Sequence, residues 1–321
     1  QKSSFIFQFL HSETDYPTPV AVDYGQNEAR FGGNAVNLQL QHFPRNWIVQ
    51  ALYEDLSPGF RADYGFVPRV DTRRGEGIVF RQIWGKPKGW FNLIRLGAMG
   101  QLIYDHDGHL TDRGLNLGVM YQGNLETQVN VNGNILRTYY DGQYFDTAFG
   151  TANFRIRPFS GSEIGVQGMA GQSIDYANSR LADVFAVGPN ASFSLLRRLN
   201  LVLSQSYERL SEGGDTIYTA NLTQTKLVWN FSVRSFVRAV VQYRDLRQNP
   251  AMYTFPVDSR TRSFFTQFLF SYKLNPRTVF FLGYSDNAMG GVFDSWLGSG
   301  RVGITRTDRT FFLKIGYAWQ I

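Results

Sequence analysis

The chain has 321 residues, with 32 Lys and Arg against 26 Asp and Glu, a formal charge of +6, and no cysteine. Charged residues make up 18% and aromatics 16%, where an ordinary soluble domain carries about 25% charge. That balance excludes a disordered chain and a long helical bundle; the missing cysteine removes disulfides and thiolate chemistry, and the thinly spread Lys and Arg form no patch for nucleic acid.

No apolar run reaches the ~18 residues of a membrane-spanning helix. No signal peptide is visible in the sequence, where Gln1-Lys2-Ser3-Ser4 runs straight into Phe5-Ile6-Phe7. We therefore expect a mature or trimmed chain, or the C-terminal part of a longer one.

Period-2 alternation predicts sixteen strands. The first eight are placed at 3–10, 30–41, 46–56, 70–84, 90–104, 110–122, 125–139 and 147–158. The other eight are placed at 162–173, 183–197, 200–211, 215–229, 234–246, 261–274, 277–287 and 310–321. Early in the chain Val36, Leu38 and Leu40 alternate with Asn37, Gln39 and Gln41. Leu125, Thr127, Val129, Val131 and Ile135 then separate fully from Glu126, Gln128, Asn130, Asn132 and Asn134, as a strand requires and a helix forbids. Thr219, Asn221, Thr223 and Thr225 blur the faces of 215–229. Val237, Ala239, Val241 and Tyr243 alternate with Arg238, Gln242 and Arg244. The last segment lines up Phe311, Leu313, Ile315, Tyr317, Trp319 and Ile321 on one face.

Tight turns such as Lys86-Pro87-Lys88-Gly89 and Asn275-Pro276-Arg277 largely alternate with longer connections at 11–29, 57–69, 140–146, 174–182, 248–260 and 288–309. Many predicted strands exceed the 3–10 residues usual in globular proteins and reach the ~9–11 of a tilted membrane-spanning strand. An even count of such strands predicts an all-β fold: a transmembrane antiparallel β-barrel of about sixteen to eighteen strands. It would form a single domain over 1–321 in the cell outer membrane, surrounded by lipid and lipopolysaccharide, with short periplasmic turns and long extracellular loops. A propeller would show a ~40-residue repeat, and a sandwich would use short strands and expose few aromatics; neither pattern is present.

In a membrane barrel the apolar face meets lipid and the polar face lines the lumen. Trp47, Trp84, Trp90 and Tyr272 lie by tight turns and Trp319 near the C-terminus, all at the tight-turn end, as a periplasmic aromatic girdle would. Extrapolated faces put Arg81, Arg95, Arg155, Arg157, Arg238 and Arg244 in the lumen, with Asn130, Asn132 and Glu126 as further solute-contacting candidates. Arg81 with Arg95, and Arg155 with Arg157, form like-charge pairs. Such pairs need nearby acids or an anionic ligand. If Glu126 or Glu163 reaches Arg155 and Arg157, the pairing is structural; if not, an acidic sugar would fit.

The histidines carry little chemistry. Asp105-His106-Asp107-Gly108-His109 has a metal-like look, but an Asp-Gly turn is also an ordinary hairpin connection, and no metal or other cofactor is expected. A hydrolase would need a Ser beside a His base; His11, His42, His106 and His109 are placed in loops, turns or strand ends, so no catalytic residue is expected.

Phe60-Arg-Ala-Asp-Tyr-Gly-Phe-Val-Pro-Arg-Val-Asp71, Ser271-Tyr-Lys-Leu-Asn-Pro-Arg-Thr-Val-Phe-Phe-Leu-Gly-Tyr-Ser-Asp286 and Thr307-Asp-Arg-Thr-Phe-Phe-Leu-Lys-Ile-Gly-Tyr-Ala-Trp319 carry a resemblance. From about residue 30 onward the chain resembles the C-terminal outer-membrane barrel region of bacterial carbohydrate-binding family 9 domain-containing proteins. The resemblance implies a sugar-binding-like β-domain ahead of the barrel, and a link to polysaccharide export. It supplies no catalytic residues. The expectation is a channel for a carbohydrate-type solute. The alternative is a barrel with a blocked lumen that partners other periplasmic or outer-membrane proteins.

Overall fold

A computed structural model describes residues 3–318 apart from 24–27, 63–64, 66, 196–197 and 296–297, and gives the backbone alone at 293–295, 298–299 and 301–302. Trp319, Gln320 and Ile321 lie outside the described residues. Sixteen antiparallel strands form one sheet in strict sequence order. They begin with β1 (Ser3–Asp15), β2 (Arg30–His42), β3 (Trp47–Leu56), β4 (Thr72–Trp84), β5 (Phe91–Tyr104) and β6 (Leu110–Gly123). They continue with β7 (Gln128–Tyr140), β8 (Gln143–Ile156), β9 (Ser162–Asp175), β10 (Arg180–Leu195) and β11 (Leu199–Glu212). The last are β12 (Asp215–Ser232), β13 (Ser235–Gln248), β14 (Arg260–Asn275), β15 (Thr278–Ser295) and β16 (Gly298–Tyr317). The strands run from 10 to 20 residues, from the top of the globular range to well beyond it. One short helix, α1 (Thr18–Asp23), follows β1.

The long-loop expectation needs correction. The connection placed at 140–146 is a turn at Asp141 and Gly142, with φ of 49° and 79°. That at 174–182 shrinks to 176–179. The stretch 288–309 is mostly strand, because β15 runs on to Ser295 and β16 begins at Gly298. Its glycines read as loop, yet backbone pairing needs no side chain: Gly291 pairs with Val302 and Phe293 with Gly300. Long connections remain after β1, β3 and β13.

Alternation leaves an apolar face in the open. Leu40 is 58% exposed, Leu117 56% and Ile135 63%, while Ile217 is the one large side chain fully buried among the described residues. A soluble fold would bury such side chains. Long strands with an exposed apolar face and a polar reverse face are the wall of an outer-membrane β-barrel. The chain is an all-β outer-membrane protein of that class. Its close contacts fall into two compact units, 1–122 with 131–148, and 123–130 with 149–321.

Candidate functional site

In the first unit, register stacks polar side chains in a row. Gln8 pairs with Asn37, Asn37 with Glu54, and Glu54 with Arg74. The next row is Leu10, Ala35, Leu56 and Thr72. Both rows lie on the face opposite Leu40 and Val79.

The connection 57–71 folds back over these rows. Gly33 permits it: a Cβ there would stand 2.0 Å from the Phe60 nitrogen. The Arg61 backbone N–H donates to Ser12 Oγ at 3.0 Å, and its guanidinium lies 5.0 Å over the Phe31 ring. At the far end Arg69 Nη1 donates to Asp112 Oδ2 at 2.7 Å. Phe60, Ala62, Val67, Pro68 and Arg69 thus roof a cavity of about 450 Å³. The sequence motif at 60–71 therefore both braces the rim and covers the polar face; its Asp63, Tyr64 and Phe66 lie outside the described residues.

Arg155 and Arg157 in the second unit have protein partners. Arg157 Nη1 donates to Glu126 at 2.5 Å and its Nη2 lies 2.9 Å from Glu163. Arg155 Nη2 donates to Gln128 Oε1 at 2.6 Å, and its Nη1 lies 3.9 Å from Glu163. Glu126 reaches its position through a left-handed backbone, φ 51°. The condition set by the sequence is met on its structural side, and the acidic-sugar reading at this pair is withdrawn.

Arg81 also needs correction. It pairs with Trp47 in register and its guanidinium lies 4.9 Å over the Trp47 ring. Val79 and Ile83 share that exposed face. Arg81 therefore belongs to the apolar side, where a long Arg stem lies along aromatic surface while its head stays hydrated. The true neighbour of Arg95 is Gln82, whose Oε1 accepts from Arg95 Nη2 at 3.1 Å. The charges Arg74 and Glu76, two apart on one face and ion-paired, escaped the sequence reading; opposite charges at that spacing were the available signal.

The other polar-face candidates are placed as follows. Arg238 Nη2 donates to Gln267 Oε1 at 2.9 Å. Arg244 shares its face. Neither they nor Arg95 has a carboxylate partner among the described residues. Asn130 and Asn132 sit on the polar face of β7; the missing Cβ of Gly118 makes room for Asn132, whose Oδ1 would otherwise be 2.6 Å away. Thr219, Asn221, Thr223 and Thr225, ambiguous in sequence, share the face of Leu227 and Trp229 by parity. There Asn221 Oδ1 accepts from Gln205 at 3.2 Å.

His106 is a clamp. Its Nδ1 lies 2.8 Å from Asp71 Oδ1 and its Nε2 lies 2.9 Å from Asp55 Oδ1. The Asp105 carboxyl is held below its ordinary value: burial pushes it up, and the His109 backbone N–H and ring outweigh that. His11 lies 2.8 Å from Asn34 Oδ1. His42, placed in a turn by sequence, ends β2 and lies 2.8 Å from Ser3 Oγ across the strand pair. Among the described residues no group of three His, Asp or Glu is arranged to hold a metal ion.

The connection 249–259 also folds inward. Met252 and Tyr253 pack on Ala182, Val184, Leu210 and Ile217, and Arg180 Nη2 donates to the Met252 carbonyl at 2.6 Å.

No protein-family model and no curated protein matches the chain. Among solved structures, OmpT, an outer membrane protein of Vibrio cholerae, is similar at 9% identity and a TM-score of 0.43, over 99% of this chain and 97% of that one. The outer membrane channel DcaP of Acinetobacter baumannii is similar at 10% identity and a TM-score of 0.41, over 98% and 97%. Scores this low carry no function across.

Proposed function

We propose that the polar face lines a conduction path for a carbohydrate-type solute across the outer membrane. The observation that carries this is Arg95, Arg238 and Arg244 lying without carboxylate partners among the described residues, on a face rich in Asn and Gln. Amides both donate and accept, and guanidinium presents a fork of donors; together they suit hydroxyls and carboxylates. The resemblance to carbohydrate-binding family 9 domain-containing proteins favours a polysaccharide on an export route.

The inward connections 57–71 and 249–259 favour a second reading, a blocked barrel that serves as a partner of other envelope proteins. Planar-bilayer recording of the purified protein separates the two. Stable single-channel steps, partly blocked by an oligosaccharide, are expected for a channel. A silent bilayer containing inserted protein would overturn conduction and leave the partner role.

A further inference from the structure

We propose that the cavity beneath the 57–69 connection is a binding site for a neutral saccharide, an inference that rests on the carbohydrate reading above and locates it. The cavity holds an acceptor without a donor and a donor without an acceptor. Glu54 has no hydrogen-bond or ion-pair partner among the described residues. Arg74, its register partner across β3 and β4, turns to Glu76 instead and leaves its Nε unpaired. A guanidinium has five N–H donors, so Arg74 retains capacity after that ion pair.

A hydroxyl is the group that answers both needs, since it donates and accepts. One sugar hydroxyl donates a hydrogen bond to the Glu54 carboxylate while a neighbouring hydroxyl oxygen accepts from Arg74. Gln8 and Asn37 extend the same row by one strand each, at the ~4.8 Å spacing of adjacent strands. Opposite this polar row stand the apolar Phe60, Val67 and Pro68, which suit the C–H face of a sugar ring. The volume of about 450 Å³ falls within the range of small-molecule sites.

Charge selects the class. Glu54 disfavours an acidic sugar, and an ammonium in place of the second hydroxyl, having no lone pair, could not accept from Arg74. A neutral ring meets neither penalty. The site is thus distinct from the arginines Arg95, Arg238 and Arg244, which would act on solute elsewhere along the polar face.

The test is titration of the detergent-solubilised full chain with maltose, glucuronate and glucosamine, read by calorimetry. Saturable maltose binding is expected, with both charged sugars weaker. Glu54→Gln should weaken maltose about ten-fold or more, the scale of a lost hydrogen bond to a charged group. Ala62→Trp, which fills the roof and leaves the polar row intact, should abolish binding. Far-UV circular dichroism and heat modifiability on gels should match the parent for both variants. If the wild-type chain shows no saturable maltose binding, the proposal fails. It also fails if both variants bind maltose as the parent does, or if glucosamine binds more tightly than maltose and loses that advantage in Glu54→Gln. Bilayer conductance is read separately. Conduction without maltose binding overturns this site and leaves the channel; binding in a silent barrel does the reverse.

Discussion

Leu117 and Asn132 stand on opposite faces of neighbouring strands, and single substitutions there test the assignment of faces. Leu117 is 56% exposed on the apolar side. Leu117→Arg should destabilise the protein by about 2–4 kcal/mol if it lies near mid-membrane. Asn132→Arg should cost much less. Urea unfolding in lipid vesicles measures both, and equal costs would overturn the face assignment. The arginines offer a second comparison. Arg95→Ala and Arg238→Ala remove charge from the polar face and should lower anion-over-cation permeability, while Arg81→Ala should leave it unchanged. A permeability change in Arg81→Ala comparable to the others would return Arg81 to the lumen. Sequence misplaced Arg81 because β4 has apolar residues on both faces, Ile78 and Phe80 against Val79 and Ile83, and Gly75 and Gly77 report on neither. In β7 the faces separate cleanly, and Asn130 and Asn132 were placed without ambiguity. The partners of Arg157 were also legible, as a choice between Glu126, Glu163 and an external anion, but only coordinates could show that both acids reach it.

Two connections give the sheet elements that alternation cannot show. His106 joins Asp71, from the 57–71 connection, to Asp55 on β3. Asp71 holds a left-handed backbone, φ 59°, in doing so. A non-glycine residue kept there depends on its surroundings to over-determine it. His106→Ala should release the connection, and trypsin should then cut faster at Arg61 or Arg69. Unchanged cleavage would show that Gly33 packing and the Arg69–Asp112 pair hold the connection without the clamp. In the second unit Ile217 is 0% exposed, seated with Leu210 and Val184 and next to the 249–259 connection. Ile217→Ala should cost about 2–5 kcal/mol and Ile217→Val about 0.5–1.5 kcal/mol; a cost below the Val range for the Ala variant would show that this cluster collapses without penalty. Neither cluster was legible beforehand. Alternation gives a strand its two faces, while the inward fold of a connection depends on a glycine distant in sequence, such as Gly33 beneath Phe60. The strand ends failed for a related reason: Gly290, Gly291, Gly300 and Gly303 weaken the side-chain signal of β15 and β16, yet Gly291 and Gly300 still pair, with the register slipping between Met289 and Gly291.

At the scale of the whole molecule, strand count and order were legible because they rest on many repeated period-2 segments, each short on information but all in agreement. The contrast of loop lengths was legible only in part: after the corrections above, three of the connections that follow odd-numbered strands are long, those after β1, β3 and β13. Orientation in the membrane follows from this reduced contrast. Outer-membrane barrels place short turns in the periplasm and longer loops outside, so the 249–259 connection should be extracellular and the Lys86–Gly89 turn periplasmic. The aromatic side chains agree. Trp84 and Trp90 flank that turn, are 47% and 67% exposed, and Trp84 Nε1 donates to the Arg45 carbonyl at 2.7 Å, so two neighbouring short turns are tied together at an aromatic-rich level suited to the membrane interface. The chain has no native cysteine, which allows single reporters. Cysteine introduced at Tyr253 packs against the 182–217 cluster and would be partly shielded, so Phe255, 46% exposed, is the better position. In intact cells a membrane-impermeant maleimide should label Phe255→Cys and spare Lys88→Cys, and both should label after the outer membrane is opened. Labelling of Lys88→Cys alone in intact cells would invert the orientation, and with it the side from which solute first meets the roofed cavity beneath residues 57–69.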